Sequence, residues 1–179
     1  MAAGVTYTSI SSQTLSSNSN LITLNSFSGY TDLRIVMSFF TNGTGIETLQ
    51  FNGSAGSAYE QLLLNSFTGA SSGGVTGYNA YNFSGRGNFY TYGGWTQNGT
   101  TTPAIMEFYI PLYADTSSYH YVFGSYGSGQ AQTTGTYYEK DLWQGQWKSS
   151  AAITSITISN ASYYFTAGTV VSVYGISEA

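Results

Sequence analysis

Apolar and polar residues alternate along much of the chain. The run 33–39 places Leu33, Ile35, Met37 and Phe39 on one side of a period of two. The segments 104–112, 119–124, 155–158 and 170–176 alternate in the same way, with Leu112 expected on the apolar face of its segment. The pattern predicts strands with one buried face. We expect these residues in the core: Leu33, Ile35, Met37, Phe108, Ile110, Ile156, Ile158, Val171 and Val173.

Turn signals separate the alternating runs. The pairs Asn42-Gly43, Asn52-Gly53 and Asn98-Gly99 suit turns that need a positive φ, and Ala167-Gly168 predicts a turn before the last strand. The segment 68–87 is rich in Gly, Ser and Asn, which favours a long loop with short strands, and 61–64 is the one place where a helical turn is plausible. Many short strands with almost no helix predict an all-β domain, either a β-sandwich or a barrel.

The N-terminal segment differs from the rest of the chain. Residues 1–20 carry no charged side chain and few apolar ones, so we interpret them as an extended arm before a domain at 21–179. Val5, Tyr7 and Ile10 are spaced to pair on an existing sheet edge, which makes them candidate protein-interface residues. The alternative is that the arm is the first strand of the domain's own sheet.

Composition excludes several classes of protein. Of the 179 residues, 7% are charged, with 4 Lys plus Arg, 8 Asp plus Glu, one His and no Cys. Four basic residues are too few to neutralise a nucleic-acid backbone, and no apolar run is long enough to span a membrane. We therefore expect neither nucleic acid nor membrane as a partner. The absence of Cys and of a visible signal pattern favours folding in a reducing cytosol.

Candidates for catalysis are sparse. His120 is the single His and lies in a predicted strand, so we interpret it as structural. Glu139 and Asp141 share one face of a predicted strand, but Lys140 and Lys148 are near them in sequence, which favours a solvated charge cluster over a catalytic pair. We expect no enzymatic activity, no cofactor and no metal; a cation site made of Asp and backbone carbonyl groups stays open.

Aromatic residues are the other candidates for a site. Trp95, Trp143 and Trp147 lie among Gly or Gln residues, and Tyr137 and Tyr138 precede the second and third of these tryptophans. Rings with polar neighbours can stack on sugars or anchor a protein interface. These five residues form a candidate aromatic interface or glycan platform. The alternative for Trp143 and Trp147 is packing at the edge of the core.

Three stretches carry a resemblance to a known group of proteins. They are 30–37 (YTDLRIVM), 49–53 (LQFNG) followed by Tyr59, and 147–176, which ends with Ala-Gly-Thr and Tyr-Gly-Ile. From about residue 5 to 177, the chain resembles a family of tailed-phage virion proteins with a jelly-roll domain. Members are capsid decoration (cement) proteins and parts of tail fibres or adhesins. The resemblance implies a jelly roll, a virion location and no catalytic residues.

These expectations lead to two functions. The first is a cement protein that binds the outside of a phage head and stabilises capsomer contacts. Its partners would be the major capsid protein and further copies of itself. A homotrimer is expected, because closed association buries uncharged surface and because trimers are common among the decoration proteins and fibre tips that the chain resembles. It would be assembled in the host cytoplasm and exposed on the particle. The alternative is a tail-fibre or adhesin domain that binds a host surface glycan. A hydrolase is disfavoured by the missing His and Cys constellation.

Overall fold

The computed structural model describes residues 7–43, 46–68, 75–91, 103–132 and 135–177; within these ranges, side chains at 67–68, 75–78, 91, 129–132 and 135–138 are not described. The described residues contain strands and turns and no helix, so none of them forms a helix that could cross a membrane. The strands are β1 (Tyr7–Thr14), β2 (Leu21–Asn25), β3 (Asp32–Phe39), β4 (Glu47–Phe51), β5 (Tyr59–Thr68), β6 (Val75–Arg86), β7 (Phe89–Thr91), β8 (Ala104–Ile110), β9 (His120–Gln132), β10 (Gly135–Trp147), β11 (Ser155–Asn160) and β12 (Val170–Ile176).

The strands form two antiparallel sheets. One has eight strands in the order β1-β12-β3-β8-β9-β10-β5-β6, and the other has four in the order β2-β11-β4-β7. The apolar faces of the two sheets pack against each other. The chain is therefore an all-β jelly-roll sandwich, which confirms the predicted fold class.

The alternation in the sequence accounts for the core. In β3 and β12 every second residue is buried, as a strand with one face against a second sheet requires. All nine predicted core residues are buried. Leu112 is a correction: it is 53% exposed and has φ of 48°. Strand β8 ends at Ile110, and the turn that follows takes Leu112 off the apolar face.

Local signals in the middle of the chain were less reliable. At Asn52-Gly53 both residues have positive φ, 51° and 63°, as the turn motif predicts, whereas the same prediction is wrong for Asn42-Gly43, where neither residue has a positive φ. In contrast, the predicted loop at 68–87 contains the twelve-residue strand β6, and the possible helical turn at 61–64 lies within β5. Strand pairing explains both differences, because β5 lies between β10 and β6 and forms ladder hydrogen bonds with each.

The N-terminal segment is part of the sheet. Strand β1 pairs antiparallel with β12 of the same chain, from Tyr7 opposite Ile176 to Thr14 opposite Val170. Its side chains are exposed apart from half-buried Ile10, and Val5 lies outside the described residues. Residues 7–14 thus form an edge strand on the chain's own sheet. A division into an arm at 1–20 and a domain at 21–179 stays a prediction.

Candidate interaction surface

One face of the eight-stranded sheet packs on the smaller sheet, and the other, here called the outer face, is open to solvent. Four of its strands, β8, β9, β10 and β5, carry large apolar side chains that are about half exposed. They are Leu62 (53%), Leu64 (53%), Ile105 (53%), Phe123 (43%) and Leu142 (52%), and we call them the apolar patch. Contiguous apolar surface of this kind marks interaction sites more often than isolated exposed residues do.

Strand register brings the apolar patch together. Leu142 on β10 is opposite Leu64 on β5, and Gln144, two residues further along β10, is flanked by Leu62 and Phe123. A depression of about 340 Å³ lies between these side chains. Because neighbouring strands are only about 4.8 Å apart, Leu62, Leu64, Phe123 and Leu142 share one continuous surface. Ile105 lies at its edge, between Ser38 and Gly127.

Charged side chains stand at the ends of the apolar patch. Lys140 lies two residues before Leu142 on the same face of β10 and forms no ion pair in the part of the chain that the structure describes. At the opposite end, the Glu60 carboxylate is 2.8 Å from the Lys148 ammonium group. Glu107, which is paired with Arg34 at 2.7 Å, lies beside Ile105 on β8. No charged side chain stands among Leu62, Leu64, Phe123 and Leu142, so burial of these four by a partner would cost little charge desolvation.

Tyr121 and Gln146 occupy the same end of the outer face as Glu60. The Gln146 amide donates a hydrogen bond of 2.8 Å to the Tyr121 hydroxyl group, which fixes a ring that is 43% exposed. Two shallow depressions, of about 280 and 290 Å³, both include Tyr121 and Gln146 in their lining. Tyr119, 53% exposed, lines the second of them. This end of the face is polar and aromatic rather than aliphatic.

Trp143 and Trp147 do not contribute to the predicted aromatic platform. Trp143 and Trp147 are buried, with exposures of 4% and 2%. The Trp143 ring lies 5.5 Å from Phe108, and the Trp147 ring lies 5.6 Å from Phe51. The expectation of a surface role is therefore wrong for both and the alternative of packing in the core is confirmed, because the odd-numbered residues of β10 from 139 to 147 face the core.

The remaining predicted aromatic residues lie outside what the structure describes. Trp95 is outside the described residues. Tyr137 and Tyr138 belong to β10, but their side chains are not described. The five residues are thus not brought together as one surface by the described part of the chain.

His120 has a structural environment. Its side chain is 2% exposed, its Nε2 atom lies 2.9 Å from the carbonyl oxygen of Ala151, and its ring stacks on Trp147 at 5.6 Å. The ring fills space at the end of the core and ties β9 to the segment before β11. These contacts agree with the interpretation of His120 as a structural residue.

Glu139 and Asp141 are inside the sandwich, which corrects the expectation of a solvated cluster. They are 6% and 0% exposed. The Asn65 side-chain amide donates to both carboxylates, at 2.7 Å to Glu139 Oε1 and 2.6 Å to Asp141 Oδ1. Lys140 lies between them in sequence, so the period of two places it on the outer face instead.

Further polar groups lie near this buried pair. Glu47 on β4 is 0% exposed and accepts a hydrogen bond of 3.2 Å from the Asn160 amide. Burial, with the nearby charge of Glu47, raises the pKa of the Tyr126 hydroxyl well above its usual value. Within the described residues, no three or more His, Asp or Glu side chains form a group suited to a metal ion. The hydrogen bonds form two buried sets of contacts inside the sandwich, one around Asn65 and one between Asn160 and Glu47.

The sequence interpretation missed the outer face. Its signal was present, because Leu62 and Leu64 alternate with Gln61 and Leu63 in a strand-like pattern. Both faces of β5 are rich in apolar residues, however, and a period of two does not say which face is covered. Only the sheet order shows that Leu62 and Leu64 face away from the second sheet.

Comparisons with known proteins give slight similarities. No protein-family model and no curated protein sequence matches the chain. Among solved structures, the galectin LEC-6 of Caenorhabditis elegans is 11% identical, with coverage of 93% of this chain and 96% of the galectin and a TM-score of 0.33. An exo-inulinase from Aspergillus awamori is 12% identical, with coverage of 95% and 29% and a TM-score of 0.37. The VP2 subviral particle of infectious bursal disease virus is 12% identical, with coverage of 95% and 40% and a TM-score of 0.14. At these TM-scores the similarities carry no functional inference.

Proposed function

We propose that the chain is a structural protein of a phage virion that acts without catalysis, most specifically a capsid decoration (cement) protein. It binds the outside of the head next to the major capsid protein and stabilises the contacts between capsomers. Assembly takes place in the host cytoplasm, and self-association as a trimer, which the resemblance implies, belongs to the same proposal. The resemblance of the sequence to phage jelly-roll virion proteins supports this choice.

The observation that carries the proposal is the apolar patch on the outer face. A sandwich with a continuous ladder through eight strands is a stiff support, and the patch places five half-exposed apolar side chains on it. Burial of such a surface by a protein partner lowers the free energy of the complex, and this apolar contribution to binding depends little on salt. Both properties suit a protein whose work is to hold neighbouring subunits together.

Location on the particle tests the proposal directly. Antibodies against the folded domain should label the heads of purified virions in negative-stain electron microscopy. Label confined to the tails would refute a decoration role. A matched pair of variants connects location to the surface: Leu142→Glu should abolish re-decoration of heads stripped of the protein, whereas Leu21→Glu, at a residue 50% exposed on the other sheet, should not.

A tail-fibre domain that binds a glycan is the second candidate, and one observation favours it. The exposed Tyr121 ring, held by Gln146, offers a stacking surface beside the amide and carboxylate groups of Gln144, Asn82 and Glu60. Glycan-array binding that disappears in Tyr121→Ala and persists in Tyr164→Ala, a tyrosine 48% exposed elsewhere, would support this candidate. An array without any binding would remove it.

A further inference from the structure

We propose that the outer face is covered by a second copy of this chain, in a two-fold, face-to-face contact that opposes Lys140 of each copy to Glu60 of the other. The inference rests on the proposed function, because it names the partner at the surface on which that function depends. The contact would join decorating subunits in pairs across the particle surface.

Four rows of side chains cross the outer face at right angles to the strands. Register fixes their order: consecutive rows are two residues apart, about 6.7 Å in an extended strand. Taken along β10, the rows are marked by Lys140, Leu142, Gln144 and Gln146. On β5 the same rows contain Ser66, Leu64, Leu62 and Glu60.

The two charged groups lie too far apart to meet within one chain. Lys140 is in the first row and Glu60 is in the fourth, so about 20 Å separates their strand positions. A two-fold axis in the plane of the interface, perpendicular to the strands and midway between the second and third rows, reverses the row order. Lys140 of one copy then faces the row that holds Glu60 of the other. The symmetry forms this contact twice.

The same rotation matches the apolar patch with itself. Leu142, in the second row, comes to face the third row, where Leu62 and Phe123 flank Gln144. The depression of about 340 Å³ beside these residues can receive the partner's Leu142 side chain. Because a two-fold contact is isologous, each depression receives one leucine and both patches are buried together.

The area of the face agrees with a dimer of modest affinity. From β3 to β6 the sheet has six adjacent strands, which span about 24 Å, and four rows span about 20 Å. The resulting plane of about 480 Å² understates the accessible surface of projecting side chains, and a standard interface covers about 800 Å² per partner. The ion pair Arg34–Glu107, at 2.7 Å, lies beside the apolar patch as a polar rim.

Sedimentation velocity over a range of protein concentrations tests the contact. As the concentration rises, the mass of the sedimenting wild-type species should double, whether the starting species is a single chain or a trimer. Leu142→Glu should abolish the doubling, and the control Leu21→Glu should not. In the contact, the Glu60 carboxylate would lie between Lys148 of its own chain and Lys140 of the other copy. Each of Lys140→Glu and Glu60→Lys should weaken the association by up to about tenfold, because two attractions of Lys140 to this shared carboxylate become repulsions. The double variant Lys140→Glu/Glu60→Lys should restore it, since both pairs reform with reversed sign.

Two results would overturn the inference. One is a wild-type species whose mass does not double at any concentration. If Leu142→Glu then still failed to decorate heads, the partner at the outer face would be the shell protein and not a second copy. The other is a double variant no stronger than either single variant, because the predicted charge contacts would then be absent. Labelling of virion heads is measured separately. Failure of the two-fold contact therefore leaves the decoration role intact, and labelled tails would refute that role independently.

Discussion

Replacing Asn65 by leucine tests the buried polar network in the sandwich. Leucine has the same branched arrangement of four side-chain heavy atoms as asparagine, so the change removes the amide group without opening a cavity. The amide donates to Glu139 at 2.7 Å and to Asp141 at 2.6 Å, and all three side chains are at least nine-tenths buried. The variant therefore takes one donor from each of two carboxylates where water has little access.

The size of the effect follows from these two contacts. A hydrogen bond to a charged acceptor contributes about 1.5–3 kcal/mol to stability, and the two share one donor group, so their contributions do not simply add. We expect Asn65→Leu to lower the free energy of unfolding by at least about 1.5–3 kcal/mol, because both buried acceptors lose their donor. A loss of this size is a large part of the 5–15 kcal/mol of an ordinary domain.

Urea unfolding followed by tryptophan fluorescence measures this loss, since Trp143 and Trp147 are buried and report on the core. The matched control is Asn82→Leu, the same chemical change at an exposed position of the neighbouring strand β6. It should alter the free energy of unfolding by no more than about 0.5 kcal/mol. If Asn65→Leu were as stable as the control, the amide would not support the carboxylates and the network would be wrong.

Four further outcomes are expected. Phe108→Ala, at a fully buried residue, should cost about 3–5 kcal/mol in chemical denaturation. Gly124→Ala, where a Cβ atom would collide with the Trp143 ring, should lower the melting temperature, whereas Gly127→Ala in the same strand meets no neighbour and should not. Burial raises the pKa of Tyr59 from 10 to about 12, so the folded state holds this proton more tightly than the unfolded state. Stability should therefore fall as pH rises from 10 to 12, and less steeply in Tyr59→Phe. Removing residues 1–14 should leave a folded sandwich, because β1 is an exposed edge strand. The truncated protein should no longer decorate stripped heads. Normal decoration would contradict a role of β1 in anchoring.

The sequence by itself determined the fold class and most of the core. Leu33, Ile35 and Met37 alternate so regularly that only a strand places them on one side, and all three are buried. The pair Asn52-Gly53 likewise specified its turn, since both residues tolerate the positive φ that it requires. These features are local: periodicity and backbone preference act within a few residues and can be seen in any short segment.

Tertiary structure decided which face of each strand is covered and what meets across strands. Glu139 and Asp141 were correctly expected on one face of a strand, yet only the position of β10 between β9 and β5 places that face inside, against Asn65. The same pairing turned Trp143 inward and Leu142 outward. A period of two has no preferred side, so the choice depends on the contacts made by residues distant in sequence. The outer face arises in this way, from strands that are far apart in the chain and adjacent only in the sheet.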